Sequence, residues 1–281
     1  MLQIWCCSAL SSSTALEELK AKQHQIWSNG DYSKIAWVTV PLAAELISAI
    51  DLRPGSRVLD VATGTGHVAI EAARAFCVVS GIDYVAELID TARDRAAAEG
   101  LAIDFEVGDA EQLPYEDESF DYVLSAIGVM FTADHQRAAD ELVRVTAPGG
   151  RIGLASWTAE GFVGRLLKTV SAHVPPPPVA LPPTRWGSEE VVRELLGEAV
   201  EDVESHTAPA VIRFPSAEAF TSFFLTNYGP TYTAAQKLDD AGRAQLRTDI
   251  LALAHEANRA TDGTFVGVWE YRVVTAIRTR S

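Results

Sequence analysis

The chain has 281 residues, of which 48% are hydrophobic and 22% charged, a balance typical of a folded globular protein. Its 38 acidic residues outnumber its 23 basic residues, and no Lys/Arg cluster stands out. This acidity argues against nucleic acid or an anionic membrane as a partner, because affinity for phosphate comes largely from Lys and Arg.

Cysteine usage favours a reducing compartment. The three cysteines, Cys6, Cys7 and Cys77, match no zinc spacing and no disulfide framework, so we expect a cytoplasmic location. The N-terminal stretch "MLQIWCCSAL" is apolar, but it is short and no basic residue precedes the apolar run. We expect a loose tail there, not a signal peptide.

Two helices are predicted first, and strands and helices then alternate. Asp134 is a candidate N-cap, and Gly100 ends a helix. Such alternation predicts the α/β class, with a parallel sheet between two layers of helices. The helices are predicted over 13–27, 37–50, 66–76, 85–100 and 134–147, and the strands over 57–62, 77–83, 102–110, 119–127 and 151–157.

The pattern changes after Trp157. The run "PPPPVALPP" cannot form regular hydrogen-bonded structure, because proline lacks the donor, and it is interpreted as a surface strap. We therefore divide the chain into an N-terminal segment 1–41, an α/β core 42–157, and a segment 158–281 of helical insertions and two more strands. The further helices are predicted over 158–174, 188–199, 216–228 and 241–260, and the strands over 203–214 and 264–278.

The stretch "RVLDVATGTGHVAI", residues 57–70, predicts a strand, a glycine turn and a helix. Gly64, Gly66 and an acid 19 residues past Gly64, Asp83, come close to the fingerprint of a nicotinamide-dependent oxidoreductase. No G-K-[ST] follows, which excludes a Walker ATP site. Asp60, beside the turn, would repel a pyrophosphate but suits a cationic ligand such as S-adenosylmethionine. The charge argument therefore favours an S-adenosylmethionine site over the dinucleotide site of an oxidoreductase.

Acidic residues end three successive predicted strands: Asp60, Asp83 and Asp109. The carboxyl edge of an open α/β sheet is where ligands bind. There, Asp83 can accept both ribose hydroxyls of an adenosine, Tyr84 can lie against the adenine, and Asp109 can accept from its amino group. Each acid alone is also explained as a cap of the following helix, but the three together with the glycine turn favour a binding site.

Four stretches, "VLDVATGTGHVAI", "GIDYVAELIDTAR", "VGDAEQLPYEDESFDYVLS" and "ELVRVTAPGGRI", resemble the class I S-adenosylmethionine-dependent methyltransferases of the ubiquinone/menaquinone-biosynthesis group. The resemblance covers the first half to three-fifths of the chain. It implies a Rossmann-like sheet of seven strands with the last antiparallel, helices on both faces and helical insertions forming a cap. It also implies methyl transfer that yields S-adenosylhomocysteine, with no metal.

The resemblance also assigns cofactor contacts. It implies that the methionine part lies against Asp60, Ala62, Gly64 and Gly66, and that Ser125 contributes to the cofactor's backbone contacts. For ribose and adenine it implies Asp83, Tyr84, Asp109 and Ala110. Ala62 replaces the first glycine of the family motif, a change that is tolerated if this residue has a negative φ.

The reaction that this family implies is an in-line displacement at the methyl carbon, for which alignment matters most. His135 is the candidate general base, although a surface residue near a helix cap is the simpler interpretation. We expect a small, apolar or aromatic acceptor. Related enzymes fold the segment that carries Trp27 and Tyr32 over the cofactor as a lid. The candidate acceptor-binding residues are Tyr32, Trp186, Tyr228 and Tyr232.

One alternative keeps the same cofactor site. A protein of this fold can bind S-adenosylmethionine without transferring its methyl group, as a cyclase-like catalyst or a binding module. The residues at the glycine turn would look identical in both cases. Release of S-adenosylhomocysteine distinguishes the two.

Overall fold

The fold is organised around one seven-stranded sheet. In the computed structural model, the backbone is described for residues 3–29 and 31–280, and side chains for 14–29 and 31–280. The strand order is β3-β2-β1-β4-β5-β7-β6, and β7 runs antiparallel to both neighbours. The strands are β1 Arg57–Val61, β2 Val78–Asp83, β3 Ile103–Val107, β4 Phe120–Ala126, β5 Thr146–Trp157, β6 Val200–Phe214 and β7 Phe265–Arg278.

Eleven α-helices are described, and within the described residues none is long and apolar enough to cross a membrane. Short 3-10 helices join several of them. The α-helices are α1 Gln3–Ser28, α2 Tyr32–Ala36, α3 Val40–Ala49, α4 His67–Arg74, α5 Ala86–Ala98, α6 His135–Val145, α7 Phe162–His173, α8 Glu189–Leu196, α9 Ala217–Asn227, α10 Gly229–Lys237 and α11 Asp240–Ala257.

The central strands are covered on both faces. Leu59 and Val61 of β1, and Val123 and Leu124 of β4, are fully buried, which requires helices above and below the sheet. The order in which strands are added to the sheet reverses after β3. Strands β2 and β3 lie on one side of β1, and β4 lies on the other side. Such a switch point opens a crevice at the carboxyl edge.

The insertion helices pack on the β5–β7–β6 side around an aromatic cluster. Phe162 stacks on Trp269 with ring centroids 5.1 Å apart, and Phe220 stacks on Phe265 at 4.7 Å. Phe220 and Phe224 are buried, as helical spacing predicts for core residues. The last two strands and the insertions therefore share one hydrophobic core with the rest of the sheet.

The structure corrects the expectation of a loose N-terminal tail. Helix α1 begins at Gln3, so most of "MLQIWCCSAL" is helical, while Met1 and Leu2 lie outside the described residues. The sequence analysis also did not predict two short helices, α2 and α10. Helix α10 contains Pro230 in its first turn, a position that tolerates proline because its N–H has no partner within the helix.

Candidate cofactor and acceptor site

A cleft lies at the carboxyl edge of the sheet, at the switch point. It encloses about 920 Å³, counting the space open to solvent, a size usual for small-molecule sites. Its floor is formed by the residues that follow β1, β2, β3 and β4, and its roof by α1 and α2. The strand ends that the sequence singled out therefore meet in one place.

Asp60 braces the turn that follows β1. Its Oδ2 accepts hydrogen bonds from the Thr63 hydroxyl at 2.5 Å and from the Ala69 amide at 3.0 Å. The second bond satisfies an amide in the first turn of α4, whose N-cap, Gly66, offers no side chain. Burial raises the pKa of Asp60 to about 7, and the charge of Asp83 adds to the effect.

The turn itself is held in left-handed backbone conformations. Gly64 has φ +54° and Gly66 has φ +81°, which glycine adopts without strain. Ala62 has φ +55°, so the negative φ under which this alanine would replace glycine without strain is not met. The backbone at Ala62 is therefore in a conformation that favours the glycine of the family motif. Gly66 packs against Ala92 and Phe105 behind the turn, whereas Ala62 and Gly64 line the cleft.

Asp83 joins the glycine turn to the end of β2. Its Oδ2 accepts from the Gly64 amide at 2.9 Å and its Oδ1 from the Val85 amide at 3.0 Å. Burial raises the pKa of Asp83 to about 6, and these amide bonds offset part of the rise. Each oxygen keeps a second lone pair, so the carboxylate can still accept two hydroxyl groups from a ligand.

At the end of β3, Asp109 and Glu111 share one cation. Lys20 of α1 lies 2.7 Å from Asp109 Oδ2 and 2.6 Å from Glu111 Oε2. Glu111 is almost fully buried, and its Oε1 accepts from the amides of Ala133 and Asp134. The sequence analysis did not identify Lys20 or Glu111 as site residues, although Glu111 is an acidic residue only two positions after Asp109. Tyr84 and Ala110 line the cleft beside this cluster.

The cleft as a whole is acidic. Among the described residues that line it are four carboxyl groups and a single lysine; the acids are Asp60, Asp83, Asp109 and Glu111. A ligand with a pyrophosphate would meet net repulsion here, whereas a ligand with an ammonium and a sulfonium is attracted. The geometry thus supports the charge argument made from Asp60 alone.

Comparison with known proteins agrees with this geometry. Residues 58–150 match the model of a methyltransferase domain. Over 124 residues, the chain is 44% identical to the demethylmenaquinone methyltransferase of Deinococcus radiodurans, covering 43% of this chain and 52% of that protein. The chain belongs to the class I S-adenosylmethionine-dependent methyltransferase family. The fold of this family implies S-adenosylmethionine as the cofactor.

Likeness to other proteins extends beyond that domain. The crystal structure of the YcgJ protein of Bacillus subtilis superposes with a TM-score of 0.59 at 18% identity, covering 85% of this chain and 98% of that one. An uncharacterized protein of Mycobacterium tuberculosis is 42% identical over 265 residues, covering 92% of this chain and 95% of that protein. The predicted seven-stranded methyltransferase fold is confirmed, and the relative shares the segments outside the matched domain.

Helix α1 covers the side of the cleft that is formed by the residues after β2 and β3. Besides the Lys20 ion pairs, the His24 Nε2–H donates to the Tyr84 carbonyl at 3.1 Å, and the His24 ring meets the Tyr84 ring edge-on. Trp27 then contacts Phe131 at 4.7 Å between ring centroids. This contact network fits the lid predicted from the resemblance.

A second, smaller cavity adjoins the cleft. Trp27, Tyr32, Thr39 and Ile127 form part of both linings, so these side chains stand between the two spaces. The rest of its wall comes from α2, the 3-10 helix that follows it, β5, β7 and the insertion helices. Every described lining residue is uncharged, and those that belong to this cavity alone are Ile35, Val38, Trp157, Val163, Leu166, Phe224, Tyr228 and Trp269.

Three of the candidate residues lie away from both cavities. His135 is 2% exposed and packs against Trp186, with ring centroids 5.9 Å apart, and Trp186 is fully buried. Burial lowers the pKa of His135 to about 4, and neighbouring Arg185 adds to the effect. Tyr232 lies on α10 and lines neither space. His135 is therefore misplaced for a general base, and Trp186 and Tyr232 for acceptor contacts.

Ser125 has a bracing role that the sequence did not reveal. Its hydroxyl donates to the Val61 carbonyl at 2.7 Å and accepts from the Val129 amide at 3.1 Å, so it faces the protein interior. The next residues, Ala126, Ile127 and Gly128, line the cleft in its place. Ile127 has φ +55°, a strained conformation for a β-branched residue at the wall between the two cavities.

The buried Asp60 makes stability depend on pH in a predictable direction. Since its folded-state pKa of about 7 exceeds the ordinary value of 3.8, the favourable contribution of its proton is complete below pH 4 and is lost as pH rises through 7. Asp60→Asn keeps an oxygen for Thr63 and Ala69 and cannot ionise. We expect its stability relative to wild type to rise by on the order of 2 kcal/mol between pH 5 and 8.

Urea unfolding of both proteins at pH 5, 6, 7 and 8, without added ligand, measures this difference. Subtracting the wild type at each pH removes the titration of the groups that do not interact with Asp60; Asp83, whose charge acts on Asp60, is the exception. The surface variant Asp104→Asn controls for the loss of one negative charge, because Asp104 is exposed. A difference between Asp60→Asn and wild type that stays constant with pH contradicts the raised pKa.

Proposed function

We propose that this protein transfers the methyl group of S-adenosylmethionine to a small, uncharged, apolar or aromatic acceptor by in-line displacement. One observation carries the proposal. An acidic cleft at the carboxyl edge, suited to a cationic cofactor, adjoins an uncharged cavity through the shared walls of Trp27, Tyr32, Thr39 and Ile127. Such an arrangement provides two compartments that meet at one point.

The cofactor contacts follow from the site. When bound, S-adenosylmethionine supplies an electrophilic methyl group on a good leaving group. In this proposal Asp83 accepts from the ribose hydroxyls and the adenine lies beside Tyr84, Asp109 and Ala110; all four residues line the cleft. Ala62, Gly64 and the carboxyl of Asp60 border the space for the methionine part, where negative charge favours an ammonium.

The chain contributes alignment and exclusion of water more than proton transfer. Among the described residues that line the acceptor cavity there is no histidine, carboxylate or lysine. The pKa of Tyr32 and that of Tyr228 are raised by burial, so neither phenol is ionised at neutral pH. His67 lines the cleft, but burial lowers its pKa to about 3. The proposed acceptor atom therefore reacts without a base from the cavity wall.

Turnover tests the proposal. Purified protein is incubated with S-adenosylmethionine and a panel of uncharged aromatic and alicyclic compounds, and S-adenosylhomocysteine release is measured. We expect release that depends on one or more of these compounds and is abolished by Asp83→Asn. If the protein binds the cofactor but no compound of the panel raises release above the acceptor-free rate, transfer to this class of acceptor is contradicted and a non-transferring role is favoured.

A further inference from the structure

The acceptor cavity contains polar atoms that the protein does not satisfy. Among the described residues, neither the Tyr32 nor the Tyr228 hydroxyl has a hydrogen-bond partner. The indole Nε1–H of Trp269, which is 2% exposed, also has none. Buried polar groups in folded proteins nearly always have partners, so the unpaired Trp269 Nε1–H requires an explanation. The hydroxyl of half-buried Tyr32 and that of Tyr228 are left available to a ligand.

The two tyrosines stand where the cleft meets the cavity. Tyr32 lines both spaces, and its ring lies over the glycine turn, with Cε1 3.6 Å from where a Gly64 Cβ would stand. Tyr228 lines the cavity only. Trp27 touches both rings, at 5.4 Å from Tyr32 and 6.0 Å from Tyr228 between centroids. Packing thus holds both phenols in place without using their hydroxyls.

We propose that the Tyr32 and Tyr228 hydroxyls bind a hydroxyl or carbonyl oxygen of the acceptor at this junction. The acceptor class is then an uncharged ring compound that bears such an oxygen, and the two tyrosines set specificity for it. This inference rests on the proposed function. A cationic amine fits poorly, because the cavity offers no carboxylate to offset desolvation of its charge. A pure hydrocarbon leaves all three donors unpaired.

Binding of two matched probes tests the inference. 2-Naphthol and naphthalene differ by one hydroxyl, and their binding is followed by the fluorescence of Trp27, Trp157 and Trp269, which line the cavity, with S-adenosylhomocysteine present. We expect wild type to bind 2-naphthol about tenfold or more tightly than naphthalene, and Tyr32→Phe and Tyr228→Phe each to reduce that preference about 3- to 10-fold. Tyr232→Phe, the matched control outside both linings, should change nothing.

Three results overturn the inference: equal affinity of wild type for both probes, no binding of 2-naphthol, or a preference unchanged in both variants. Titration of the same proteins with S-adenosylmethionine separates this failure from failure of the proposed function. If wild type does not bind S-adenosylmethionine, the proposed function is contradicted. If it binds the cofactor and the tyrosine variants keep the wild-type preference for 2-naphthol, only the role of the tyrosines is contradicted.

Discussion

Asp83→Asn is expected to weaken S-adenosylmethionine binding by at least about 100-fold. In the proposed cofactor site the carboxylate accepts from two ribose hydroxyls, and hydrogen bonds to a charged group contribute about 1.5–3 kcal/mol each, or roughly tenfold to a hundredfold apiece. The substitution also removes a negative charge that attracts a cationic ligand. Isothermal titration calorimetry at pH 7.5, where Asp83 is ionised given its pKa of about 6, measures the change.

The same substitution must be checked for folding, because the carboxylate also accepts from the Gly64 and Val85 amides. An asparagine keeps one of these bonds and turns its NH₂ toward the other amide, which we expect to cost about 1–3 kcal/mol of stability. Circular dichroism and thermal unfolding identify that loss. Asp104→Asn, an exposed acid on the neighbouring strand, is the matched control and should bind normally. An affinity within threefold of wild type in folded Asp83→Asn removes Asp83 from the ribose site.

Gly66→Ala is expected to lower the free energy of unfolding by about 3 kcal/mol. An alanine at φ +81° is strained by about 1–2 kcal/mol, and crowding adds to this. The added Cβ would stand 3.1 Å from both Ala92 Cβ and Phe105 Cζ, which are held by the packing of α5 and β3. Urea unfolding measures the loss. A change below about 1 kcal/mol means that the turn adopts another conformation.

The variant Ala62→Gly is expected to change the free energy of unfolding in the opposite direction. It relieves a left-handed alanine at φ +55° four residues earlier, at the cost of a more flexible unfolded chain. We expect a net gain of about 0.5–1 kcal/mol in the same urea experiment. A loss of stability would show that the Ala62 methyl makes packing contacts worth more than the strain.

The sheet and the cofactor edge were predictable from the sequence because both depend on local signals. Strand–helix alternation set the topology, and an acid at the end of each of three strands placed Asp60, Asp83 and Asp109 at one edge. The direction of an individual side chain is not a local signal. Ser125 lies near the end of β4 and His135 follows that strand, yet the Ser125 hydroxyl bonds the backbone of neighbouring segments and His135 is buried against Trp186.

The acceptor side was less predictable, because it is assembled from distant segments. The cavity joins α2, α7, α9, β5 and β7, so no spacing within one stretch identifies its wall. Of the four candidate acceptor-binding residues, Tyr32 and Tyr228 line the cavity, whereas Trp186 and Tyr232 lie elsewhere. The Lys20 link between α1 and the end of β3 also required the fold to be known.

The central claim is that the glycine turn serves a cationic cofactor and not a dinucleotide. Isothermal titration calorimetry of the purified protein with S-adenosylmethionine, S-adenosylhomocysteine and NAD tests it most directly. The acidic cleft predicts micromolar binding of the first two and no binding of NAD. Binding of NAD without binding of S-adenosylmethionine would contradict the claim and would mean that Asp60 and its acidic neighbours do not govern which ligand the turn accepts.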